Sequence, residues 1–217
     1  MTVALATPLN QILLAPGSAI TVNGLTWQYY ELLLAELGSD RATRLAYDTG
    51  TLEIRVPSQL HEILNRLLSK IVFALAEELE IEIVDLGSTT WNRSDLDKGI
   101  EPDSCFFIQN AQCITGLNPD IPENLPPDLA IEVDIASASD NKVAIYQALE
   151  VPELWIYRQG QLKILHLTPT TVSEAEISRA FPQITSQQLQ TWIELRETAT
   201  DITVIKAVRQ FCQSRSA

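Results

Sequence analysis

The chain has 217 residues, 46% of them apolar and 20% charged, which is enough to bury a full core and too balanced for a disordered or fibrous protein. Fifteen Lys and Arg against 28 Asp and Glu leave a net charge of −13, so the average surface repels nucleic acid and anionic membrane. No apolar run reaches the length of a membrane span, and two histidines, His61 and His166, exclude a histidine-rich metal cluster. Cys105, Cys113 and Cys212 lack metal-ligand spacing and read as packed thiols in a reducing, cytoplasmic compartment.

One domain is expected over 1–217, with a core of about 58–167, an N-terminal helix and hairpin, and a C-terminal helical extension. The opening MTVALATPLNQILLAPGS has no basic start and carries Pro8 and Pro16, so it reads as a lead-in strand or arm. Gly24 to Gly38 is amphipathic and ends on glycine, which predicts a helix. Thr43 to Asp48 and Thr51 to Val56 alternate in character around Gly50 and predict a hairpin. From Gln59 to Leu79, Leu60, Ile63, Leu64, Leu67, Leu68, Ile71, Val72 and Leu75 recur at helical spacing and predict a long helix with a broad apolar face.

Glu80 to Leu86 and Asp103 to Ile108 read as strands, with Ser94 to Gly99 a polar turn between them. The proline-rich segment from Asn118 to Pro127 is a loop. It runs into DLAIEVDIA, the strongest strand of the chain. Ser137, Ser139 and Asp140 offer caps for a short helix to Leu149, and ELWIY (Glu153 to Tyr157) and LKILHL (Leu162 to Leu167) follow as a hairpin. The tail after Ser173 reads as mostly helical, with Ser186 capping a helix. The order predicts an α/β fold in which a central mixed sheet is flanked by helices.

Glu132 and Asp134 pose the chemical question, because a carboxylate in an apolar strand must find a partner, neutralise or bind a metal. Period-2 alternation puts Ile131, Val133 and Ile135 on one face and both acids on the other. Asp103 follows Pro102 at the start of the preceding strand, so two strands can bring their acids to one face. Lys142 lies in the first turn of the next helix and leans back toward the strand end. Two or three carboxylates and an ammonium on one sheet edge suit a hard divalent cation, Mg²⁺ or Mn²⁺.

The residues GIEPDSCFFI, PPDLAIEVDIAS and NKVAIYQALEVPELWIY resemble the motifs of the Uma-two family of endonucleases, in the PD-(D/E)XK restriction-endonuclease-like superfamily, over roughly Ser58 to Leu167. The resemblance implies a restriction-endonuclease-like core in which Asp103, Glu132 and the main-chain carbonyl of Val133 hold the metal. It also implies metal-dependent hydrolysis of phosphodiester bonds, with DNA as the partner. The lysine usual two residues after the acid is replaced by Asp134, so the pattern reads ExD and Lys142 is implied to supply the charge from the helix. Asp134 is left with three open roles: a second metal, a hydrogen bond from Lys142, or setting that lysine's position. The likeness further implies that the start of the long helix approaches the site, which makes His61 a candidate contact for phosphate or water.

Blander readings stand beside these. An edge strand would leave Glu132 and Asp134 solvated, Lys142 would be a surface residue, and His61 a hydrogen-bonded residue at the core's edge. Tyr146 shares the face of Lys142 and can support its stem, and Glu101 is an outer candidate. Trp27, Trp91, Trp155 and Trp192 are scattered and read as core. Two other function classes remain open: a catalytically inactive binding or assembly protein that keeps the nuclease fold, favoured by the charge of −13, and a two-carboxylate glycosidase, which needs an open sugar cleft. A homodimer suits a nuclease, since cutting both strands of a duplex commonly takes two sites.

Overall fold

The computed structural model of the chain describes residues 12–38, 41–122, 124–135 and 141–216. It opens with β1 (Ala19–Asn23) and α1 (Trp27–Leu37), where Thr26 caps the helix by accepting the Tyr29 amide at 3.3 Å. The hairpin β2 (Arg44–Asp48) and β3 (Thr51–Arg55) turns through Thr49 and Gly50, both at positive φ (40° and 92°), the tight turn whose twist matches paired strands. Three residues after β3, Ser58 caps the long helix α2 (Gln59–Glu78) by accepting the His61 amide at 3.2 Å.

The strand expected over 80–86 is much shorter, because the chain first completes the helix end. Glu80 takes a left-handed φ of 54°, and Ile81 N donates to Ala76 O at 2.8 Å, a Schellman closure. Only β4 (Val84–Asp85) pairs. The polar turn at Ser94 to Gly99 is the tip of a hairpin unseen in the sequence, β5 (Trp91–Arg93) and β6 (Lys98–Ile100), joined by a 3-10 turn. β7 (Ser104–Phe107), β8 (Leu129–Asp134), α3 (Asn141–Ala148), β9 (Glu153–Arg158) and β10 (Gln161–Leu167) follow in the expected order. The proposed caps Ser137, Ser139 and Asp140 lie outside the described residues, as does residues 1–11 of the lead-in arm.

The tail departs from expectation twice. β11 (Val172–Ala175) pairs with β10 before any helix, and α4 (Ser186–Leu195) is capped by Thr185, which accepts the Gln188 amide at 3.1 Å, rather than by Ser186. α5 (Asp201–Ser216) ends the described chain.

These strands make two sheets. One is antiparallel, ordered β1-β3-β2-β6-β5; the other is mixed, ordered β11-β10-β9-β8-β7-β4, with β8 and β9 parallel. The second sheet carries helices on both faces, as expected. Leu129, Ile131 and Val133 of β8 join Leu64, Leu68 and Val72 of α2, Trp192 of α4 and Val204 of α5 in the largest apolar cluster. On the opposite face, Ala130, Leu154 and Ile156 meet Ile145, Tyr146 and Leu149 of α3, together with Ala46 of β2 and Ile100 of β6. Helix α3 thereby ties the two sheets together. Burying each such aliphatic side chain contributes about 1.5–3 kcal/mol, which fixes β8 and α3 in position before any polar contact is considered.

Candidate active site

Strand β8 lies between β7 and β9, and all six of its residues are buried, so the edge-strand reading of its acids fails. Alternation sends Glu132 to the α3 face, where it is 0% exposed. Its Oε1 accepts the Tyr146 hydroxyl at 2.5 Å, and its Oε2 lies 3.3 Å from Lys142 Nζ and 3.1 Å from Arg55 Nη2. Lys142 is therefore buried rather than on the surface, and its Nζ also lies 3.3 Å from Glu53 Oε1.

Asp103 immediately precedes β7. Its main-chain amide donates to Ile131 O at 3.2 Å, which sets the side chain beside β8. Oδ1 meets Arg55 Nη2 at 2.6 Å, while Oδ2 accepts the Val133 amide at 2.7 Å and lies 2.9 Å from His61 Nε2. Asn65 of α2 donates to the Asp103 carbonyl at 3.1 Å and accepts the Ser104 hydroxyl at 2.8 Å, so the long helix pins the start of β7. Burial alone would raise the Asp103 pKa, yet the Arg55 guanidinium and then His61 hold it below the usual carboxylate range. The reverse holds for Arg55: burial disfavours its charge, but Asp103 and Glu132 raise its pKa further. For Tyr146, burial first and Glu132 second push the pKa well above its ordinary value, which keeps the phenol a donor.

Of the six predicted site residues, Asp103, Glu132, Lys142, His61 and the main chain of Val133 meet in this one network. Asp134 shares their face of β8 but is bound by Arg158 of β9, whose Nε and Nη2 lie 3.1 and 2.9 Å from its Oδ2. Glu101 faces elsewhere: it takes Thr90 Oγ1 and Leu45 N at 2.9 Å and pairs with Arg41, anchoring β2. Trp155 and Trp192 are core, Trp27 and Trp91 half-buried; Cys105 and Cys212 are buried thiols, whereas Cys113 is exposed rather than packed.

Sequence reasoning missed Glu53 and Arg55. Both lie on β3, two residues apart, with Leu52 and Ile54 turned to the α1 cluster on the other side. A signal was present: the ExR of β3 is the same alternation of charge within an apolar strand as the ExD of β8, with the sign complemented.

Asp103 Oδ1 and Glu132 Oε2 lie within 3.1 Å of one guanidinium nitrogen, Arg55 Nη2, and the Val133 carbonyl is 3.5 Å from Arg55 Nη1. Three hard oxygens thus converge on one cationic group, a donor set that fits Mg²⁺ or Mn²⁺. Among the described residues no three or more His, Cys, Asp and Glu side chains gather as metal ligands, so the set depends on the main-chain carbonyl.

The mixed sheet with helices on both faces, one acid on β8 and another just before its neighbour β7, is that of a restriction-endonuclease-like α/β protein. Residues 27–203 match the profile of the Uma2 family, described as "Putative restriction endonuclease", and the chain belongs to that family. Its fold is similar to the crystal structure of a "putative nuclease belonging to DUF820" from Anabaena variabilis ATCC 29413, with a TM-score of 0.55 and 14% identity over 78% of this chain and 99% of that one. No curated protein matches the sequence. No helix among the described residues is long and apolar enough to cross a membrane.

Proposed function

We propose that the protein is a metal-dependent endonuclease that hydrolyses phosphodiester bonds in DNA. The observation that carries this reading is the convergence of Asp103 Oδ1, Glu132 Oε2 and the Val133 carbonyl on a single cationic group, with Lys142 beside them. Those three oxygens would hold Mg²⁺ or Mn²⁺. When bound, such an ion supplies Lewis-acid charge to a phosphoryl oxygen and acidifies water.

The chain's own residues do the rest. Lys142, held by Glu132 and Glu53, places a positive charge at the acids, where it offsets charge developing on phosphate. Tyr146 fixes the Glu132 rotamer through its 2.5 Å bond, leaving the other oxygen to the cations. His61 orients Asp103 through Nε2. Asp134 is read as a structural partner of Arg158. Cutting both strands of a duplex commonly takes two such sites, which favours a homodimer.

A second reading, a catalytically inactive nuclease-fold binding or assembly protein, is favoured by one observation: every acid of the centre already has a cationic partner in the chain. Binding of Mg²⁺ and Mn²⁺ by calorimetry, run beside cleavage of duplex and single-stranded DNA, separates the two. Metal binding and cleavage in the wild type, both lost in Glu132→Ala, support the nuclease. Absence of both from the wild type leaves the binding protein.

A further inference from the structure

We infer that Arg55 is the chain's own occupant of the cation position between Asp103, Glu132 and the Val133 carbonyl, so that a divalent ion enters only by displacing its guanidinium. The inference rests on the metal-binding reading above and goes beyond it by assigning a residue from outside the resembling motifs to control of metal affinity.

Geometry supports it in three ways. First, the guanidinium touches all three oxygens of the proposed ligand set, with Nη2 at 2.6 Å from Asp103 and 3.1 Å from Glu132, and Nη1 at 3.5 Å from the Val133 carbonyl. A divalent ion on those oxygens and Arg55 in its present place would lie within contact distance of each other, in a site where screening by water is weak. Coexistence is excluded by like-charge repulsion and by the shared lone pairs.

Second, the charge count of the centre works only with exchange. Asp103, Glu132 and Glu53 carry three negative charges against two on Arg55 and Lys142. Exchanging the guanidinium for a divalent ion moves that balance from −1 to 0, whereas adding the ion to the present set moves it to +1. Lys142 reaches Glu132 from the helix side and can remain, which separates its role from that of Arg55.

Third, Arg55 has somewhere to go. It is the last residue of β3, its side chain is 10% exposed, and it borders a cavity of about 30 Å³ that it shares with Ser18, Ser58, His61 and Ile135. Lys142, at 3% exposed, is held more deeply. That cavity has room for about one water, so a displaced guanidinium passes it into solvent while the Arg55 backbone stays paired with Ala19 and Arg44.

The test measures Mn²⁺ affinity by titration calorimetry for the wild type, Arg55→Gln and Asp103→Asn, with thermal unfolding of each in the presence and absence of Mg²⁺. Displacement is negative coupling between two ligands of one site, so Arg55→Gln should bind Mn²⁺ at least about tenfold more tightly. Its melting temperature should be lower without Mg²⁺ and rise more than the wild type's on adding it, while Asp103→Asn binds none. Equal affinity in the wild type and Arg55→Gln, abolished in Asp103→Asn, overturns the inference and leaves the metal reading intact. No binding to either of the first two overturns the metal reading and the inference with it. Should Arg55→Gln fail to fold, the guanidinium Nε–H resonance of Arg55 in isotopically labelled wild type decides the matter: a large shift at saturating Mg²⁺ supports displacement, and an unmoved resonance sinks it.

Discussion

Among the described residues two glutamates are 0% exposed, Glu132 and Glu153, and they are buried in opposite ways. Glu153, at the start of β9, is 0% exposed and is surrounded by neutral donors: Trp155 Nε1 at 2.7 Å, the Ser178 hydroxyl at 2.6 Å, the Ala180 amide at 3.3 Å and the Arg179 amide. His166 lies 3.5 Å away on the neighbouring strand. Glu132, equally buried, is held by the flexible cations Arg55 and Lys142 and by one phenol. Fixed dipoles satisfy a carboxylate and lock a loop; here they fasten the connector before α4 to the mixed sheet. Cations on long side chains also satisfy a carboxylate, but they can exchange for another cation. The first arrangement suits architecture and the second suits chemistry.

Removing Glu132 should have the larger consequence. Glu132→Ala is expected to lower any metal-dependent cleavage by more than about 100-fold, since loss of a ligand exceeds loss of its supporting partner. The same change leaves Arg55 with Asp103 alone and Lys142 with Glu53 alone, one buried acid short, at a cost of about 3 kcal/mol in chemical unfolding. Glu153→Ala should cost about 3 kcal/mol by the same measurement, through its unsatisfied donors, while activity per folded molecule stays at the wild-type level. If Glu153→Ala abolished cleavage in folded protein, the contrast drawn between the two acids would be wrong.

Acid should weaken the charged centre. The folded pKa of Asp103 is depressed, so its contribution is complete above the unfolded value of about 3.9 and is lost as pH falls below it toward the folded value. Urea unfolding from pH 6 downward should show stability falling below about pH 4 in the wild type. In Arg55→Gln this part of the pH dependence should flatten, because the main cause of the depression is gone.

A finer test removes one hydroxyl. Tyr146→Phe takes away a single bond to Glu132 and is expected to cost about 1.5 kcal/mol of stability, with a drop in cleavage that falls on kcat rather than KM. Smallest of all is the exposed pair of Lys163 and Glu174, 2.7 Å apart on the β10–β11 hairpin. Lys163→Ala should change stability by less than about 1 kcal/mol, and that little should fade in salt.

Periodicity made much of this legible in the sequence. The long helical stripe of α2, the period of two in β8, and the position of Lys142 in the first turn of α3 each depend on neighbours close in the chain, and each holds in the structure. The short strands were hidden because their pairing, not their composition, makes them strands. β5 and β6 have three residues each and exist by pairing with each other and with β2. Glu53 and Arg55 were hidden for a related reason. An alternating hairpin reads equally well with its polar face in water, and nothing local says that this face meets β8 and α3.

The sequence by itself determined the long helix α2, the strands from β7 to β10, which side of β8 carries the acids, and the need of Glu132 for a partner, because those follow from local geometry and the cost of desolvating charge. Tertiary structure alone decided who that partner is. Packing α3 against both sheets brings the charged face of β3 onto the acids of β8, so a pairing between residues 77 apart, Arg55 and Glu132, is set by the shape of the apolar clusters around it and by no pattern along the chain.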